Sequence, residues 1–118
     1  MFKKFFLLSF LLFYGSVTAQ ADQKTEITHL LGYIKATECT YIRNGTSHSG
    51  IQAAAHIQKK YDYYKNDIAS AEDFIRLSAT ESTMFGNKYY IKCSGSPKIE
   101  SGIWLLKELT QYRKHESK

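Results

Sequence analysis

Arg43, His48, His56 and Lys60 fall within one short stretch of this chain, with the amide of Asn44 beside them. His56 precedes Lys60 by one helical turn, on the same flank. Such a group could take a proton and hold an anion, with His56 as the base and Arg43 and Lys60 as the anion's cations. A plainer reading competes with it. His56 then sits at a helix edge, and Lys60 lays its stem on apolar surface with its ammonium in water. Arg43 and Asn44 build a turn and pair with nearby acids. The plainer reading is preferred, so no catalytic residue is assigned. His29, His48, His56 and His115 lack ligand spacing backed by Cys, Asp or Glu, so neither a metal nor a cofactor is expected. Aromatic residues are plentiful: Tyr41, Tyr61, Tyr63, Tyr64, Tyr89, Tyr90 and Trp104. Tyr and Trp supply the rigid, amphipathic area used by interfaces and glycan grooves, although most of these tyrosines are expected in a small core. Trp104 therefore joins Arg43, Asn44, His48, His56 and Lys60 as a candidate contact with a ligand or partner.

Two cysteines, Cys39 and Cys93, remain. Cys39 opens the β-prone run 39–43 and Cys93 closes the run 89–93. If these strands pair antiparallel, the start of one lies beside the end of the other, and the sulfurs meet. A Cys39–Cys93 bridge is the expectation. The rival is a reactive thiol served by a histidine, which needs a lowered pKa and a nearby base. No Cys/His signature supports the rival.

A bridge needs an oxidising compartment, and the N-terminus supplies a route. Lys3 and Lys4 precede an apolar run over 5–14 broken only by Ser9, and small residues follow up to Ala21. This is the layout of a secretory signal peptide over 1–19, with cleavage after Ala19 or as late as Ala21. The apolar run is too short to span a membrane, which takes about 20 such residues. Cleavage leaves roughly 100 residues, enough for one domain with a modest core, expected over 22–114. It also removes Lys3 and Lys4 from a formal charge of +5. The small excess that remains has no basic run, so a nucleic-acid partner is not expected. No membrane span is expected after cleavage.

The elements that must position these residues follow from periodicity and caps. Ile27, Leu30, Leu31 and Ile34 have helical spacing, with Asp22 or Thr25 as the cap. His29 lies off that stripe and is expected in solvent. Asn44-Gly45 suits a tight turn after the first strand, with a stubby return strand over 46–48. Ser49 and Gln52 form a capping box that launches a helix over 50–64. Ser70 caps a short helix with acidic residues in its first turn. Gly86-Asn87 marks another turn, and Pro97 breaks the chain after the strand 89–93. Ser101 is placed as the cap of a last helix to about 113. Leu105, Leu106, Leu109 and Tyr112 form its buried stripe, and Trp104 is a partial lid at its edge. Residues 115–118 are expected to fray. The order predicts an α+β fold: a two- or three-stranded antiparallel sheet packed by about four helices, with one disulfide. A disulfide-stapled helical bundle is the runner-up.

Five motifs in series carry a resemblance. They are Tyr41-Ile42-Arg43-Asn44-Gly45, the helix segment from Ala53 through His56-Ile57 to Lys60-Tyr61, Ala71-Glu72-Asp73-Phe74-Ile75, the run Gly86 to Cys93, and Trp104-Leu105-Leu106 with Leu109. Together they resemble the YfeK-like family of small exported bacterial proteins, domain of unknown function 5329. The resemblance implies a Gram-negative periplasmic home and brings no activity, ligand or catalytic residue. A small binding or interaction module of the cell envelope is expected, with an unidentified periplasmic protein or envelope component as partner. A small hydrolase or transferase using His56 with Arg43 and Lys60 is the alternative.

Overall fold

The computed structural model describes residues 19–117, with side chains from Gln23 onward. The leader expected over 1–19 lies outside the described residues apart from Ala19, as does Lys118. β1 (Thr40–Arg43) and β2 (Thr46–His48) form a hairpin closed by Asn44-Gly45. Both turn residues have positive φ, 52° and 76°. A two-residue turn whose twist matches its strands needs that conformation at both positions, which is why Asn-Gly stands there. β3 (Tyr90–Lys92) pairs antiparallel with β1, and β4 (Ile99–Glu100) pairs with β3. The strand order is β2-β1-β3-β4. The fold is α+β as expected, with four strands rather than two or three. The extra strand, β4, is two residues long and leaves no alternating pattern to read.

Side-chain alternation divides the sheet into two faces. Tyr41, Tyr89 and Ile91 point inward and are buried. Thr40, Ile42, Tyr90 and Lys92 point outward and are exposed or half-buried. The pairing Thr40↔Lys92 sets Cys39 opposite Cys93, and the two are joined in a disulfide with Cα atoms 4.4 Å apart. That is the spacing of a facing pair between hydrogen-bonded pairs of an antiparallel ladder.

Four helices complete the described fold: α1 (Ala19–Ala36), α2 (Gly50–Tyr64), α3 (Ala71–Ser78) and α4 (Ser101–Glu116). α1 starts before Asp22 and Thr25, so neither residue caps it. The Ser49–Gln52 capping box forms in both directions, at 2.9 and 3.1 Å. Ser70 accepts from the Asp73 N–H at 3.0 Å and caps α3. Ser101 does not cap α4. It is the helix's first residue, with Glu100 before it. Its hydroxyl bonds the Tyr41 hydroxyl and its N–H donates to the Tyr89 carbonyl at 2.8 Å. The long-range partners outcompete the local cap, and they bind the start of α4 to the sheet.

The core joins Ile27, Leu30 and Ile34 of α1, Ile57 of α2, Phe74 and Ile75 of α3, and Leu105 and Leu109 of α4 to the inner face of the sheet. Each such side chain contributes about 1.5–3 kcal/mol by leaving water. Trp104 belongs to this core rather than to a lid. It is 9% exposed, with its ring against Tyr33 and Tyr41. His29 is not free in solvent. It bonds Glu108 at 2.6 Å and stacks on Tyr112, so it fastens α1 to α4. α4 continues past Arg113, whose guanidinium forks onto both Glu26 and Glu72, at 2.7–3.1 Å. One cation thus ties α1, α3 and α4.

Candidate functional site

The inner end of the hairpin brings together four of the residues singled out by type and spacing. Arg43 ends β1, His48 ends β2, and the capping box aims α2 so that His56 and Lys60 face the same region. The residue at the centre is Tyr89, which the sequence had marked only as one of several aromatic residues. Its hydroxyl is 3.2 Å from His56 Nε2 and accepts from the Lys60 ammonium at 3.2 Å. The ammonium also donates to the Glu81 carbonyl at 2.6 Å. Lys60 is therefore buried, not snorkelling, and among the described residues no carboxylate pairs with it. Arg43 likewise pairs with none of the described acids.

The electrostatics set the charge states along this chain of bonds. Desolvation, followed by the charges of Arg43 and Lys60, lowers the His56 pKa to about 4. The imidazole is neutral at pH 7. Lys60 donates to the Tyr89 hydroxyl, which also shares a hydrogen bond with His56 Nε2. Burial lowers the Lys60 pKa and raises that of Tyr89, so the phenol keeps its proton. Burial also raises Tyr41, whose hydroxyl is held by Ser101. The pocket bounded by Tyr41, Arg43, His48, His56 and Tyr89 has about 10 Å³ open to a water centre. That admits about one water molecule. His48 Nε2 is buried and has no hydrogen-bond partner. The arrangement is a closed polar centre. It ties α2 to Tyr89 and to the Glu81 carbonyl, and the space within it admits about one water.

Asn44 does not join this group. Its side-chain oxygen accepts from the Asn87 amide at 3.2 Å, on the outer side of the hairpin turn. There a pocket of about 300 Å³ opens over the outer sheet face, floored by Ile42 and Tyr90 and edged by Lys88 and Lys98. The Lys98 ammonium rests 4.4 Å from the centre of the Tyr90 ring. Asn87, Lys88 and Lys98 were not singled out from sequence. Gly86-Asn87 had signalled only a turn, and isolated lysines carry no spacing. Among the described residues no group of three or more His, Cys, Asp or Glu is placed to hold a metal ion. Among them also, no helix is long and apolar enough to cross a membrane.

Residues 21–113 match the family described as Family of unknown function (DUF5329). The chain belongs to this family. It is similar to the uncharacterized protein YfeK of Salmonella typhimurium, 30% identical over 70 residues, a stretch covering 58% of each chain. No solved structure matches it. The matched family residues contain both cysteines, the closed polar centre and the whole outer pocket, so all three features are parts of the family region.

Proposed function

We propose that the chain is an exported binding module of the bacterial cell envelope, resident in the periplasm, which meets its partner through the outer face of its sheet. One observation carries this reading. His56 and Lys60, the pair best suited to chemistry, are tied to one another through Tyr89, while the opposite sheet face is open and edged by lysines beside Tyr90. The Cys39–Cys93 bridge supports the compartment, because structural disulfides persist in oxidising surroundings. The basic and apolar N-terminal pattern of 1–14 supports export. The alternative, a hydrolase or transferase built on His56, would need the substrate to enter a space of about 10 Å³.

The test uses the full-length chain expressed in a Gram-negative host, with the periplasm and envelope fractionated and intact mass taken after thiol alkylation. The expected product starts at Gln20 or Asp22, has both thiols protected until reduction, and sediments with purified envelope. An uncleaved product with two free thiols would overturn the compartment. A processed product with no affinity for envelope would overturn the binding role.

A further inference from the structure

We infer that the outer pocket is a saccharide site and that it takes an acidic glycan, a sugar chain bearing carboxylates. The inference rests on the binding-module reading and names its ligand class. Three separate segments converge on the pocket: the β1–β2 turn, the loop before β3 and the loop before β4. Its volume of about 300 Å³ is at the lower end of the range for small-molecule sites, the scale of one or two sugar rings.

The polar groups there are held in place and only partly used. Asn44 Oδ1 accepts from Asn87 Nδ2. Each amide orients the other through that bond. It leaves the Asn44 amide hydrogens as donors and Asn87 Oδ1 as an acceptor, side by side at the pocket edge. A neighbouring donor and acceptor match the hydroxyls of a sugar ring, each of which both donates and accepts. Asn44 is fixed further by its left-handed backbone in the turn. Ile42 and Tyr90 supply the floor for the C–H face of the ring.

Charge selects the acidic class. Lys98 is held by the face of Tyr90 and is paired with no carboxylate among the described residues. Its ammonium hydrogens stay available to an anion. Lys88, across the pocket, is paired with Glu81 at 3.3 Å, with both side chains well exposed, so a ligand carboxylate can compete for it. A neutral glycan would leave Lys98 unanswered, and a bare phosphate would leave the amide pair and the Tyr90 floor unused.

The experiment is a titration of the disulfide-bonded, isotopically labelled protein recovered from the periplasm, followed by backbone and Asn side-chain amide resonances. The probes are a short oligogalacturonate, its carboxyl-reduced neutral form, and phosphatidylglycerol vesicles. The expected result is saturable shifts at Asn44, Gly45, Asn87, Lys88, Tyr90 and Lys98 with oligogalacturonate alone. Lys98→Ala and Asn87→Ala, both at exposed positions, should keep the melting temperature. Lys98→Ala should weaken binding about tenfold, the loss of one charge-assisted hydrogen bond. An equal response to the neutral sugar would overturn the acidic assignment. Binding to vesicles without a response to the sugar would overturn the saccharide assignment. Shifts confined to another face would overturn the site. In each case sedimentation with envelope would separately decide the binding-module reading.

Discussion

The closed polar centre makes His56 the residue whose protonation the fold resists. Lys60 donates to the Tyr89 hydroxyl, and neutral His56 shares a hydrogen bond with the same oxygen. A charged His56 could only donate. The Tyr89 hydroxyl would then face two cationic donors, while Arg43, Lys60, His48 and Lys59 surround the new charge. The folded pKa of about 4 lies below the reference value of 6.5. The unfolded chain therefore binds more protons between those values, and stability rises with pH there. The stabilising contribution is complete above about pH 6.5 and is lost as pH falls towards 4. Histidine NMR should find His56 titrating near pH 4. In Lys60→Met, which keeps the stem and removes the charge, the titration should move upward. A wild-type midpoint near 6.5 would show that the centre is not built as described. Sequence had marked His56 and Lys60 as a pair. It could not show that Tyr89, distant in the chain, joins them and closes the site.

At the scale of elements, the crossing of α1 and α2 turns on one glycine. A Cβ on Gly50 would overlap the Ile34 carbonyl and stand 3.0 Å from the Thr37 carbonyl. Backbone oxygens cannot swing aside as a side chain tip can. Gly50→Ala should therefore destabilise by about 1–3 kcal/mol, the usual range for overpacking. Gly32 in α1 is the control, since a Cβ there meets nothing within 4 Å. Gly32→Ala should stabilise by roughly 0.5–1 kcal/mol through helix propensity alone. Urea midpoints of the two variants should move in opposite directions, and a shift of Gly50→Ala towards higher urea would refute the close crossing. The contrast also marks what was legible from the chain. The Asn44-Gly45 turn and the Ser49–Gln52 box were readable because each closes within four residues. The need for glycine at position 50 depends on a carbonyl at the end of another helix. The fork of Arg113 onto Glu26 and Glu72 spans 87 and 41 residues, and β4 exists only because β3 is there to pair with it. Ser101 and Trp104 had plausible local roles, and distant Tyr41 claimed both of them.

For the whole molecule, the bridge decides how much of the fold survives a reducing environment. Cys39 and Cys93 are 54 residues apart in sequence and directly opposed in the sheet. The intervening chain holds β1, β2, α2, α3 and β3, with most of the described core and every residue of the polar centre. Closing a loop of this length restricts the unfolded chain by about 4 kcal/mol in the chain-entropy account. Domains of this size are stable by only about 5–15 kcal/mol. Reduction should thus remove a large fraction of the stability without removing a packed contact, because sheet register already holds the two positions together. The Cys39→Ala/Cys93→Ala variant is expected to unfold at a markedly lower urea concentration. Its urea dependence should be steeper, since the unlinked unfolded chain exposes more surface. If the variant still folds, the amide pattern of the outer pocket should be retained, since that pocket is formed by turns at the opposite end of β1. A midpoint unchanged from the oxidised protein would mean that the bridge does not form in solution, and with it would go the strongest support for an oxidising compartment.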